Sequence, residues 1–525
     1  MYITYNNLGH TDGAGAQLQR IISIYKIAKY YNIGYIHTGI KHLDNQGVTH
    51  IENNSVDESQ IDLYNNLFYI QGDKPDTSDY ISIFLDSPTI EDLKSYIVSG
   101  ENVILYITHS HVIIDSNADI LNIPLKFQWS ETTIKFPLKI AVHIRRGDLF
   151  VVESHRMLPN SYYTHCMKSL EGIFTHANIP YEFHIYSEMF SSTVDVSRYV
   201  SKYYSKNIDH PVFVNLDDFN LEDFKAFNNV VFHINECPVK CLIEMSNADV
   251  LVSSKSSYSY TASIINQKGI IIFPPFWHSM KQSWISAYSG DDIVNNRQKI
   301  LNKFRRIISF SLWGDNPKYT IGAIRNAELA KLYYPGWICR FYIGKSTPEE
   351  IIQKLESFDN TEVLRMNLDG DLSGTFWRFY SIFDTEYSIM ICRDTDSRLS
   401  TREKYAVDEW ASSEFGFHIM RDHPCHGNLI MAGMWGIKHD VIPNFKDLII
   451  SFDRRSENIR GTDQIFLWEK VYPVIKNNCM VHDEIFNINE VRRNFPSPRI
   501  DYEFVGDVFD SNDVRDPTFW KMFKM

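Results

Sequence analysis

The sequence predicts an α/β protein of more than one domain, on three observations. Apolar runs of strand length alternate with helix-patterned stretches almost from the first residue. Several of these runs end in short loops rich in Gly, Ser or charged residues, the arrangement of parallel sheets that hold ligands at their strand ends. The 525 residues exceed one ordinary domain, and a fresh strand–loop–helix series begins near Ile307. Hydrophobic residues at 44% and charged residues at 22% sit in the globular range. A net charge of -13 argues against nucleic acid as the main partner, which needs a basic field, but leaves room for a small nucleotide in a local basic pocket. Seven cysteines without a CxxC pair point to a reducing compartment. The polar start is no signal peptide, and no run approaches the ~18 apolar residues of a membrane helix. The expectation is a soluble, cytoplasmic protein.

In order, residues 2–5 read as a strand, 13–17 as a glycine loop and 18–30 as an apolar-periodic helix stopped by Asn32-Ile33-Gly34. Such a loop brings backbone amides close to a phosphate or sugar. It lacks the third glycine of a GxGxxG fingerprint, and a plain tight turn is its commoner use. With strands at 81–85 and 103–107, residues 1–135 make a first α/β domain. Residues 136–285 make a second, with strands at 138–142, 181–186, 230–233, 248–252 and 269–273. Residues 286–306 are polar and helix-patterned, a linker. Residues 307–490 form a third domain. Within it, Thr347-Pro348-Glu349-Glu350 marks a helix start, with Thr as cap, Pro in the first turn and acids after it. Residues 491–525 read as a tail of charges and aromatics without a catalytic pattern.

The second domain's first strand runs into His143-Ile144-Arg145-Arg146-Gly147-Asp148. Two guanidiniums at a strand end, with a glycine to turn the backbone, suit a diphosphate. Taken alone, the hexapeptide equally suits a structural arginine pair locked onto carboxylates. Its company decides. Gly13-Ala14-Gly15-Ala16-Gln17-Leu18, the hexapeptide, and Ala248-Asp249 leading to Ser256-Ser257 occur in this order. Together they resemble the motifs of GDP-fucose-dependent fucosyltransferases of the α1,6, α1,2 and protein-O-fucosyl superfamily, over residues 1–290. The resemblance implies a GT-B module of two facing Rossmann-like domains, an inverting reaction and no metal. It makes Arg145 the holder of the donor β-phosphate, with His143 and Arg146 beside it. Ser256 and Ser257 become hydroxyls near the diphosphate, and Gly13, Gly15 and Gln17 the loop lining the cleft. Glu153 becomes the candidate general base, although a glutamate in such a loop is more commonly just solvated. The chemistry suits these residue types: a departing diphosphate gathers negative charge, which a fixed arginine and hydroxyl donors stabilise most in the transition state.

In the third domain a strand at 388–392 enters Arg393-Asp394-Thr395-Asp396. Alternate residues point their carboxylates one way, and hard oxygens suit Mg2+ or Mn2+. A lone D-x-D serves as often for surface acids or helix caps. Gly433-Met434-Trp435-Gly436, Gly461-Thr462-Asp463-Gln464 and Val481-His482-Asp483 follow, and the series resembles GT-A glycosyltransferases over residues 305–490. The resemblance implies that Asp394 meets the donor ribose or the metal, Asp396 binds the metal, and His482 is a third ligand. Asp463 and Gln464 would face the donor sugar or acceptor. The cluster from Met420 to His426 lacks a second ligand pair at zinc spacing and reads as an acceptor-site loop, with Asp422 and His423 as sugar contacts. The functional expectation is a bifunctional glycosyltransferase. A GT-B module transfers fucose from GDP-fucose without metal; a single-domain GT-A module adds a second sugar from an unidentified nucleotide-sugar with Mn2+ or Mg2+; a glycan is the acceptor. The alternative is that one or both modules are inactive and serve as a glycan-binding or assembly scaffold.

Overall fold

In the computed structural model the described residues are all of 1–525 except 9–11, 44–47, 49–50, 52–58, 68–69, 126–133, 152–153, 191–192, 194, 205, 214–219, 453–458, 487, 489–490 and 525. The chain divides into two compact units: residues 1–173 with 181–296, and residues 174–180 with 297–525. Among the described residues, no helix is long and apolar enough to cross a membrane.

The first unit contains two parallel sheets. One runs in the order Gly34–Tyr35, Tyr2–Tyr5, Val103–Ile107, Ile81–Leu85. Its helix Ala14–Tyr31 buries Leu18, Ile21, Ile22, Ile24 and Ile27, which spread around the helix, as in a helix enclosed on most sides. Asn32 ends that helix in the left-handed region (φ 53°), its N–H returned to Ala28 and Lys29 carbonyls. The helix Ile90–Ser99 is capped by Thr89, which forms a reciprocal capping box with Asp92.

The other sheet runs Ile285–Ser286, Ile270–Phe273, Val250–Val252, Leu138–Ile144, Tyr181–Ser187, Val230–Ile234, every pair parallel. All but one residue of the central strand Leu138–Ile144 are buried, hence its unbroken apolar text. Because the strands are parallel, the turns after Ile144, Ser187, Ile234 and Val252 gather at one edge, where a ligand site belongs. The stretch expected as a helical linker is helical. It contains the helix Gly290–Asn295, in the first unit, and the helix Arg297–Phe304, in the second.

The second unit is built on a mixed eight-stranded sheet: Thr361–Arg365, Trp337–Ile343, Arg306–Leu312, Ile389–Cys392, Trp435–Lys438, Phe417–Arg421, Cys479–Asp483, Arg492–Arg493. Trp435–Lys438 is antiparallel to both neighbours; the other pairs are parallel. A Cβ on Gly436 would lie 2.8 Å from the Trp410 ring, so glycine here lets an indole close over the sheet. Residues 497–524 pack back onto this unit. Phe504 and Val505 are buried, and Val508 bridges Ser397 beside the Asp394–Asp396 turn.

Candidate functional site

The strand-end edge of the first unit's six-stranded sheet opens on a cavity of about 540 Å³. Arg145, His143, Ser256, Ser257, Gly13 and Gly15 all line it. Gly147 makes the turn with φ 56°, and a Cβ there would sit 2.5 Å from a Glu188 carboxylate oxygen, so both conformation and space demand glycine. The Arg145 guanidinium contacts Asp148, lies 3.5 Å from Glu188, and its side chain keeps 24% exposure. Burial works against its charge, but Asp148 and Glu188 outweigh that and raise its pKa. Burial raises the Glu188 pKa against the pull of Arg145.

The other motif residues divide between lining and support. His143 hydrogen-bonds Ser254 Oγ through Nδ1 at 2.7 Å. Burial, then Arg145 and Arg146, push its pKa down to about 3, so it meets a ligand as a neutral ring. Arg146 spends its guanidinium on Asn160 Oδ1 (2.6 Å) and the Arg145 carbonyl (3.0 Å) and lies over the Tyr163 ring; it shapes the turn. Ser256 caps the helix Ser257–Ile265 by accepting from Tyr258 N–H (3.3 Å), so that helix starts at the cavity wall. Ser257 Oγ hydrogen-bonds His278 at 3.0 Å.

Gly15 has a second duty. A Cβ there would meet Tyr258 Cα at 2.5 Å, and its carbonyl accepts from Thr261 Oγ1 at 2.9 Å, so the glycine lets two helices touch. Gln17 corrects its sequence reading. It is buried, and its amide donates to the Asp12 and His42 carbonyls (2.8 and 2.7 Å); it holds the loop and does not line the cavity. Glu153 lies outside the described residues. Sequence reasoning passed over Glu188, Tyr186 and His233. The last two stack at 4.5 Å and 8° on the cavity wall. Their signal was their place at neighbouring strand ends, legible only once the strand order is known.

In the second unit Asp394 and Asp396 leave the strand Ile389–Cys392. A Cβ on Gly433 would fall 2.0 Å from Asp394 Oδ2, and one on Gly322 1.9 Å from the Thr395 carbonyl. Two glycines therefore let the sheet and the helix Pro317–Tyr333 close around the acidic turn. Each aspartate has a resident cation. Asp394 contacts Arg378, whose other arm reaches Asp463 at 2.8 Å, and Lys318 Nζ lies 2.9 Å from Asp396. Burial first, then Asp394, raises the Asp396 pKa. Three carboxylates thus face two cations, leaving one negative charge over. That donor chemistry fits a divalent ion held by Asp394 and Asp396, with the remaining positions left to other oxygens.

His482 is not a third ligand. It is fully buried, with Nδ1 bonded to His418 at 2.8 Å and Nε2 facing Glu409 at 3.3 Å, so both nitrogens are spent. Among the described residues, no group of three His, Cys, Asp or Glu side chains is placed to hold a metal. The acceptor assignment of Asp422 and His423 is corrected likewise. Asp422, 0% exposed, accepts from Arg402 Nε (2.8 Å) and Nη2 (2.9 Å), Arg499 (2.6 Å) and Val505 N–H (2.9 Å). His423, also buried, bonds the Phe519 carbonyl at 3.1 Å and accepts from Cys425 N–H at 3.0 Å. Both residues clasp the C-terminal segment. Asp463 is buried in its pair with Arg378, and Gln464 Oε1 accepts from Asn428 at 2.5 Å. Trp377 is core, edge-on to Trp313.

No family model and no curated protein matches the chain. Several solved structures are similar to parts of it. A glycosyltransferase involved in the glycosylation of the major capsid of PBCV-1 matches at 17% identity and TM-score 0.24, over 34% of this chain and 81% of that one. The E. coli heptosyltransferase WaaC with ADP-2-deoxy-2-fluoro heptose matches at 8% identity and TM-score 0.27, over 57% and 98%. Arabidopsis thaliana FUT1 in complex with GDP matches at 11% identity and TM-score 0.24, over 55% and 74%. Likenesses at this level carry no argument, and function rests on the chain's own residues.

Proposed function

We propose that the chain is a glycosyltransferase that takes a nucleotide-sugar in the cavity of its first unit and passes the sugar to a glycan acceptor. One observation carries the reading: Arg145 and the start of the helix Ser257–Ile265 converge on one cavity at the ends of parallel strands. A partly exposed guanidinium, capped amides and a neutral imidazole form a site for a leaving diphosphate, whose growing charge they meet without reorganising. Glu188 and Asp148 keep Arg145 aimed and charged. The motif series supports a GDP-sugar, with GDP-fucose first in line, and inversion with Glu153 as the base that takes the acceptor proton.

For the second unit we propose a second donor site at the Asp394–Asp396 turn, which would make the protein bifunctional. Asp394 and Asp396 would hold Mn2+ or Mg2+, which supplies charge to neutralise a donor diphosphate. Lys318 is the flexible cation that can turn from Asp396 to such a ligand.

The test is nucleotide-sugar hydrolysis by the full chain across a donor panel, with EDTA or Mn2+. Hydrolysis of a GDP-sugar in EDTA, cut about 10²- to 10³-fold in Arg145→Ala, is the expected result for the first unit. A second donor cleaved only with Mn2+, and not by Asp396→Asn, is expected for the second. Silence with every donor sinks the transferase reading in favour of a glycan-binding scaffold.

A further inference from the structure

The first unit has a second cavity, of about 270 Å³, away from the motif residues. It is lined by Lys26, Lys281, Asn122, Gln267, Ser283 and Trp284, among others. Lys26 lies within the helix Ala14–Tyr31, one turn on from the buried Ile22 and Ser23, and is 1% exposed. Its ammonium donates to the Leu121 carbonyl at 2.7 Å, which uses one of three N–H bonds. Lys281 faces the same space and repels it. Among the described residues, no carboxylate lines the cavity and neither lysine has an ion pair.

A buried ammonium at a core position costs several kcal/mol unless paired, and a second like charge beside it adds to the cost. A methionine of similar length would fill the position at no such cost. Burial first, and then Lys281, lower the Lys26 pKa to about 7, and burial lowers that of Lys281, so an anion in the cavity would stabilise the charged form of each. The volume exceeds what a water or two needs and suits a tetrahedral oxyanion with a small substituent. Neutral donors of the right kind, the Asn122 amide and the Ser283 hydroxyl, stand on the wall.

We propose that this cavity is an oxyanion site, with Lys26 and Lys281 as paired cations for a phosphate group, separate from the donor cavity around Arg145. The ligand is free phosphate or the phosphate of a small phosphomonoester; both offer the same two charges to the two ammoniums.

The probe is inorganic phosphate, titrated into the full chain in the Arg145→Ala background so that the donor cavity does not contribute. Isothermal titration and thermal melting are read at constant ionic strength, with chloride as the reference salt. A saturable phosphate isotherm is expected, weakened at least about tenfold in Lys281→Met, whose side chain is partly exposed and whose replacement spares the core. Phosphate binding should also take up protons near pH 7.5, read as a buffer-dependent heat, because the anion raises the pKa of Lys26. Glycerol 1-phosphate competing with phosphate identifies a phosphomonoester as the fuller ligand; failure to compete identifies the free ion. A non-saturable shift shared by Lys281→Met and matched by sulfate is a general salt effect, and overturns the proposal.

Discussion

Replacing Asp422 by Ala separates two roles for one residue, a sugar contact and a clasp on the C-terminal segment. The carboxylate is fully buried and accepts four hydrogen bonds, three of them from Arg402 and Arg499. Truncation leaves Arg402, itself 1% exposed, without its main counter-ion. Removing one partner of a buried pair costs about 3–5 kcal/mol, because the other charge stays behind. Arg402 keeps Glu484 at 2.8 Å, which places the loss near the lower end, about 3 kcal/mol. With a denaturant slope of about 3 kcal/mol/M in urea, one unfolding midpoint should fall by about 1 M. The assay is urea unfolding of the full chain by tryptophan fluorescence, where two units permit two transitions. Only one should move, and trypsin should then cut within residues 497–524 under native conditions. Loss of sugar transfer with both midpoints within about 0.5 kcal/mol of the parent would refute the clasp and restore Asp422 to the acceptor site.

Other outcomes follow from the same contacts. Gly15→Ala pushes a methyl against the Tyr258 backbone, so it should cost about 1–3 kcal/mol, lower the first unit's melting temperature by roughly 2–8 °C and weaken GDP binding measured by isothermal titration. His143, neutral in the fold with a pKa of about 3 against about 6.5 unfolded, contributes stability that is present above pH 6.5 and lost as pH falls toward 3. Its share of the loss at pH 5 is about 2 kcal/mol, and His143→Gln should flatten the acid limb of the stability curve. Lys318→Met frees Asp396, and Mn2+ titrated by electron paramagnetic resonance should bind about tenfold tighter, while Lys318→Arg should not differ from the parent. Unchanged Mn2+ affinity in Lys318→Met would show that the lysine does not compete for that carboxylate.

Local text carried much of the architecture. The strands Tyr2–Tyr5, Ile81–Leu85 and Val103–Ile107 were legible to within a residue, because apolar runs are local signals. The turn at Gly147 was legible too, since a positive φ beside a charged cluster leaves few residue choices. The helix pattern of residues 286–306 was legible as well, for it holds the helices Gly290–Asn295 and Arg297–Phe304. Where the C-terminal residues pack was not legible: they bury Phe504 and Val505, a long-range contact that local text does not encode.

The sequence by itself determined that Arg145, Ser256 and Asp394 stand just past strand ends, because apolar runs that give way to polar loops are a local signal. Only the tertiary structure decided what the remaining polar residues do. Asp422, His423, His482 and Gln17 look like site residues in a linear text, but each has its partners from distant segments and is shut away with them. A buried polar side chain must be satisfied wherever the fold places it, and a motif does not reveal whether a ligand or a neighbouring strand does the satisfying.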